Sequence, residues 1–262
     1  MFDSHCHLHD DRIGVKAEEL LVRARAAGVT GFLLAGVSPD GWAIEEELVR
    51  AHPDVYAAYG VHPQLIDELD DDGRADQLVA QLARVLDDPA RARPVAIGEI
   101  GLDGLGPRKA TLERQERAFR AQLAEARARD LPVVLHILHA QGRALEILRD
   151  DGLPRAGGIL HSYSGSADLV RPYVALGLSF SFAGPVTYTN APRIAAAARV
   201  VPRERLLVET DAPFQTPESL RPAENEPAFL VAIVRALAQI RGESAEALGI
   251  YTGENARRLL KL

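Results

Sequence analysis

The sequence predicts a (β/α)8 barrel, and three observations select that class. Eight short apolar, β-branched runs alternate with longer stretches of helical period. The chain has 262 residues, and a single barrel of this kind takes about 250. Apolar runs end repeatedly in His, Glu or Asp, which is where strands of a barrel present their functional side chains. The rival class is a doubly wound open sheet. It would call for a Gly-rich phosphate turn after the first strand, and the first run ends Asp3-Ser4-His5-Cys6-His7-Leu8 instead.

Taken in order, the expected strands are Met1–Leu8, Gly31–Val37, Val55–Val61, Val95–Ile100, Val133–Leu138, Gly158–Tyr163, Leu178–Phe182 and Leu206–Glu209. Helical stretches between them include Val15–Ala27, Thr111–Arg129, Leu145–Asp150 and Arg193–Val201. In the Thr111 stretch, Phe119 and Leu123 stand four apart on one face, with Glu113/Arg117 and Glu116/Arg120 as charge pairs on the other. Gly, Pro or Asn follows each helix, as tight connections require. The acidic run Asp67–Asp72 reads as a solvated loop. No linker, low-complexity tract or internal repeat interrupts the pattern, so residues 1–262 are expected to form a single domain.

Composition narrows the function classes. Lys and Arg number 30 against 37 Asp and Glu, for a formal charge of −7. That balance argues against binding nucleic acid by bulk charge, while leaving room for a local basic site. Cys6 is the only cysteine, which excludes an intrachain disulfide framework and a Cys-rich zinc module. No apolar run approaches the ~18 residues of a membrane helix, and the N-terminus lacks a secretory pattern. A cytoplasmic protein without membrane association or an obligate protein partner is expected.

The polar ends of the strands carry the chemistry. Six runs end in metal-ligand types: His5 and His7, His62, Glu99, His136, His161, and Glu209 with Asp211. Side chains two apart on a strand share a face, so His5 and His7 can address one cation while Cys6 points to the helix layer as a small packed thiol. Imidazoles mixed with carboxylates suit zinc, manganese or magnesium ions of a hydrolytic site. His5, His7, Glu99, His136, His161 and Asp211 make six candidate ligands, more than the three that a mononuclear catalytic zinc uses, so two divalent ions are expected. Glu99 has two oxygens and can serve both. Two such ions would lower the pKa of a shared water, and Asp211 could accept its proton. Glu209 reads as an outer carboxylate that orients a ligating histidine. His9 and His52 read as exposed or capping groups, Asp103 as a loop stabiliser, and Glu226 as a residue that complements a helix dipole.

These residues, in this order, resemble the TatD family of metal-dependent hydrolases within the amidohydrolase-like barrel superfamily. The resemblance runs from Asp3-Ser4-His5-Cys6-His7-Leu8 to Thr252-Gly253-Glu254-Asn255. Between them it takes in Gly60-Val61-His62-Pro63, Gly98-Glu99-Ile100-Gly101-Leu102-Asp103, Leu131-Pro132-Val133 leading to His136, His161-Ser162-Tyr163-Ser164-Gly165-Ser166, Glu209-Thr210-Asp211-Ala212-Pro213 and Asn225-Glu226-Pro227. It implies a TIM-type barrel and 3′–5′ cleavage of DNA. By similarity, His5, His7, Glu99 and Asp211 hold one metal, and Glu99, His136 and His161 the other. Asp211 doubles as general base, and His62 stands near the substrate phosphate.

Three positions depart from the family pattern. Leu138 and Glu224 stand where the family carries Arg, and Gly104 where it carries Tyr. Two guanidinium groups, suited to gripping phosphate, are therefore missing. Arg108, Lys109, Arg143 and Arg221 are the candidate replacements. The leading expectation is a phosphodiesterase acting on DNA or a small phosphodiester. The rivals are a binuclear hydrolase of a small ester, amide or lactone, and a non-catalytic scaffold barrel.

Overall fold

The strands are β1 (Asp3–Cys6), β2 (Phe32–Ala35), β3 (Val55–Tyr59), β4 (Ala96–Asp103), β5 (Val133–Leu138), β6 (Gly158–Leu160), β7 (Leu178–Phe182) and β8 (Leu206–Val208). They form one eight-stranded sheet in chain order. Beyond the last strand, Asp211 N–H donates to the His5 carbonyl at 2.9 Å and His7 N–H to the Ala212 carbonyl at 2.7 Å, so the eighth strand returns to the first. That order is a (β/α)8 barrel, as the alternation predicts. The computed structural model describes residues 1–10, 12, 13, 16–69 and 72–262.

The chain divides into two units. The first comprises Met1–Leu34 and His161–Leu262. It contains α1 (Ala17–Ala26), and later α7 (Val170–Ala175), α8 (Pro192–Val200), α9 (Leu230–Arg241) and α10 (Ala245–Leu260). Its core is aromatic and aliphatic: Phe2, Phe32, Phe180, Phe182 and Leu21 are fully buried. Ser244 caps α10 by accepting from Ala247 N–H at 3.4 Å, with Glu246 in the first turn and Arg257 and Arg258 in the last. Asn255 on α10 donates to the carbonyls of Arg203 and Leu206, tying the C-terminal motif to the start of β8.

The second unit is Ala35–Leu160. It contains α2 (Pro39–Ala51), α3 (Pro63–Asp67), α4 (Asp72–Asp87), α5 (Leu112–Arg129) and α6 (Gln141–Asp151). Trp42, Tyr59 and Phe119 are its largest buried side chains. On α5, Phe119 and Leu123 face inward and Arg120 pairs with Glu116 at 3.0 Å, as the pattern predicts. The acidic run departs from expectation. Asp67 ends α3 and accepts from Thr111 Oγ1 at 2.6 Å, and Asp72 opens α4; Asp70 and Asp71 lie outside the described residues, as does Val15 at the expected start of α1.

Glu45 on α2 is fully buried, and desolvation holds its carboxyl well above the usual range. In the unfolded chain it titrates near about 4.3. Above that value the folded state keeps a proton that the unfolded state has released, so stability falls as pH rises. Glu45→Gln removes this slope. Urea unfolding between pH 5 and 8 is expected to show a variant whose stability relative to the parent rises with pH, and a constant difference across that range would contradict the buried, protonated carboxyl.

Candidate metal-binding clusters

In the first unit, the pairing of β1 with the chain beyond β8 sets three side chains of ligand type, two imidazoles and a carboxylate, side by side. His5 Nε2 lies 3.1 Å from His7 Nε2. Asp211 Oδ1 lies 3.5 Å from His5 Nε2 and 3.2 Å from His7 Nε2. Two ligand atoms on one tetrahedral zinc, each at about 2.1 Å, would stand about 3.4 Å apart. The donor set therefore fits a divalent cation in both chemistry and spacing. Asp211 is buried. Burial opposes its charge, but the hydrogen bond from His7 and the nearby His161 and His5 outweigh that and hold the carboxyl below its usual range. Gln215 donates to the other carboxylate oxygen, Oδ2.

His161 stacks on His5, with ring centroids 4.0 Å apart. Its Nδ1 lies 3.2 Å from Glu209 Oε1, the same oxygen that accepts from Ser162 N–H at 2.7 Å. Glu209 is thus a buried carboxylate held against the His161 imidazole. Glu209→Gln, which keeps the shape and removes the charge, is expected to lower activity about 10–100-fold. Steady-state kinetics alongside metal content would check this.

Backbone conformation marks the same ends. Asp211 has φ 57° and Ser162 φ 39°, both in the left-handed region that non-glycine residues seldom adopt. Because β8 ends at Val208, simple strand alternation does not orient Glu209 or Asp211. Asn225 donates to the Thr210 carbonyl at 2.7 Å and also to that of Phe214, pinning the loop that carries Asp211.

Asp3 is a buried group that the sequence reading passed over. It opens β1, and its Oδ1 lies 3.4 Å from the His5 amide nitrogen. Burial raises its carboxyl to about 7, although it accepts from Thr210 N–H at 2.9 Å and from the Thr210 hydroxyl at 2.5 Å. One other reading needs correction. His9 is buried and meets His7 edge-on at 5.6 Å. Glu226 stands at the N-cap of the turn Pro227–Phe229 that leads into α9, the helix start expected of it, and in addition receives a two-pronged hydrogen bond from Arg23 on α1. Cys6 is a buried thiol as expected, with Sγ 3.7 Å from the Leu33 carbonyl, and His52 takes the C-cap of α2, a capping place as expected.

In the second unit, Glu99 on β4 is the centre. Its Oε1 lies 2.8 Å from His136 Nδ1 and 3.1 Å from His62 Nε2. Both imidazoles and the carboxylate present ligand atoms within reach of one ion. His62 was expected against the substrate phosphate; here it also caps α3, its Nδ1 accepting from Gln64 N–H at 3.1 Å, which leaves Nε2 to face Glu99. Gly101 pairs with His136 across β4 and β5. Its φ is +141°, and a Cβ there would come within 2.1 Å of the His136 carbonyl oxygen, so only glycine fits.

Two glutamines on α5 support this cluster, and the sequence reading missed both. Gln122 Oε1 accepts from Val61 N–H at 2.7 Å and its Nε2 donates to the Val61 carbonyl at 3.1 Å, fixing the residue before His62. One turn pair away, Gln115 does the same for Asp103, at 2.7 and 3.1 Å. Asp103 accepts from Gln64 and from Leu105 N–H, and lies 3.6 Å from His136 Nε2. Burial opposes its charge, yet these neighbours hold it well below the usual carboxylate range. The loop-stabilising expectation for Asp103 describes these contacts.

The candidate replacement cations divide. Arg108 lies against Asp103 at 3.3 Å and Asp67 at 3.8 Å, and Arg143 pairs with Glu116 and Glu146. Arg221 lies over the Tyr188 ring at 4.1 Å, and Lys109 is exposed.

Comparison with known proteins decides the family. The model of the TatD-related DNase family matches residues 2–261. The chain belongs to this family. Among its relatives, the 3′-5′ ssDNA/RNA exonuclease TatD of Dickeya dadantii (strain 3937) is 39% identical over 269 residues, covering 100% of this chain and 98% of that one. The metal-dependent hydrolase YabD of Bacillus subtilis (strain 168), whose activity is uncharacterized, is 33% identical over 262 residues, covering 100% and 99%. In structure, the TatD homolog YJJV of Escherichia coli K12 superposes with a TM-score of 0.92 at 29% identity, over 100% of this chain and 98% of that one. The TatD-family fold is thus shared along the whole chain, and among the described residues no helix is long and apolar enough to cross a membrane.

Proposed function

We propose that this TatD-family chain is a divalent-metal-dependent phosphodiesterase that shortens single-stranded DNA from its 3′ end, acting as a single domain in the cytoplasm. The observation that carries the reading is the buried set of His5, His7 and Asp211, whose donor atoms converge at ligand spacing. The name of the Dickeya dadantii relative supports the substrate class. His5, His7, Glu99 and Asp211 would hold one ion, and Glu99, His136 and His161 the other, with the two oxygens of Glu99 shared. Zinc, manganese and magnesium all suit mixed imidazole and carboxylate ligation. When bound, such ions supply a water of lowered pKa and offset charge building on the phosphoryl oxygens.

The chain's own residues do the rest. Asp211 stays ionised at neutral pH and can take the proton that the attacking water sheds. Glu209 fixes the ring of His161, and Asn225 fixes the loop beneath Asp211. His62 stands beside Glu99, with Nε2 3.1 Å from Oε1; the family resemblance would put it near the substrate phosphate, where it would first have to give up that contact. The experiment removes metal with a chelator and restores it with manganese, zinc or magnesium. 5′-labelled single-stranded DNA is then compared with p-nitrophenyl phosphodiesters and lactones. Metal-dependent shortening from the 3′ end is expected. DNA left intact while a small ester turns over would replace this reading with the small-ester hydrolase.

A further inference from the structure

Beside His7 lies a stacked pair that the proposed chemistry does not use. Phe214, in the loop after β8, meets the His7 ring edge-on, with centroids 5.6 Å apart and planes at 85°. Its N–H donates to the Asp211 carbonyl at 2.8 Å, and Asn225 holds its carbonyl. The ring is nevertheless 38% exposed, which is unusual for a large apolar side chain so firmly anchored. Over it, at 4.0 Å, lies the guanidinium of Arg12 from the loop after β1. Asp10 grips the same guanidinium in its plane, with Nε to Oδ1 at 2.8 Å and Nη2 to Oδ2 at 2.9 Å.

These contacts say what Arg12 can and cannot do. Two of its N–H groups are spent on Asp10, and the charge of Glu224 also bears on it. A guanidinium whose fork is already taken by a carboxylate is a poor grip for phosphate. One of its faces is covered by Phe214, yet the side chain remains 52% exposed. What it offers is a flat outer face, backed by the ring that meets His7. Planar nucleobases stack on arginine planes and aromatic rings, and they do so with little regard to base identity.

We propose that Arg12, clamped flat by Asp10 and backed by Phe214, is a stacking platform for the nucleobase next to the scissile phosphodiester. This deepens the nuclease reading and rests on it. The platform favours single strands, because a base must leave its duplex stack to reach it.

The test compares the metal-loaded enzyme on two single-stranded oligonucleotides that differ only in whether the 3′-terminal residue carries a base or is abasic. Wild type is expected to prefer the base-bearing strand by about tenfold in kcat/KM, mostly through KM. In Arg12→Ala that preference falls to about one. Arg12→Lys keeps the charge but loses the plane, so it is expected to behave like Arg12→Ala. Binding of phosphorothioate-linked versions of both strands, followed by fluorescence anisotropy, should give the same ratios. A wild-type ratio near one, a preference that survives in Arg12→Ala, or a preference restored by Arg12→Lys overturns the platform alone. Cleavage of neither strand overturns the nuclease reading, and the platform with it.

Discussion

Glu99→Gln is expected to lower kcat/KM by about 10³-fold or more and to cost the protein about one bound ion per chain. The substitution changes one oxygen to an amide nitrogen and keeps the side chain's volume. Glu99 is 1% exposed, and His136 and His62 converge on a single one of its oxygens. An amide offers only one acceptor and brings an N–H among imidazoles, so it can neither carry the charge nor serve two cations. Elemental analysis paired with kinetics on the best substrate reads both losses, and far-ultraviolet circular dichroism reports whether the fold survives. A metal-replete, active variant would contradict the shared role.

Asp211→Asn is expected to lower kcat by about 10²–10⁴-fold with a smaller change in KM. Asp211 touches His5 and His7 through one oxygen and Gln215 through the other. It is therefore placed both as a ligand and as a proton acceptor. Titrating the variant with manganese to saturation separates the two. A ligand-only role returns the rate to the parent value once the site is filled, whereas a lost proton acceptor leaves kcat low however much metal is added. The second outcome is the one expected here.

The barrel was legible because its signal is repeated eight times. Alternating apolar runs and the Glu116/Arg120 pairing on α5 are local patterns, and strands such as Val133–Leu138 and Leu178–Phe182 appear where the pattern puts them. The imidazoles were legible for a similar reason, since the two-residue period sets His5 and His7 on one face. The supporting groups were hidden. Gln115 and Gln122 look like solvent-facing helix residues, and only the fold turns them towards the ends of β3 and β4. Asp211 depends on a left-handed backbone beyond the end of β8, which no strand period encodes. His9 was misjudged because its partner, the His7 ring, is set by tertiary packing, and the tie between Glu226 and Arg23 on α1 was hidden for the same reason. Arg12 and Phe214 were missed on the same grounds, as the two are 202 positions apart in the chain and meet only when β1 joins the end of β8.

Crystals soaked in manganese and then in zinc, measured at each metal's absorption edge, interrogate the core of this account most directly. Strong anomalous peaks are expected within ligand distance of His5, His7 and Asp211, and of Glu99 and His136. Featureless maps at those side chains, with metal present in the soak and the crystals still diffracting, would leave the hydrolytic chemistry without a basis.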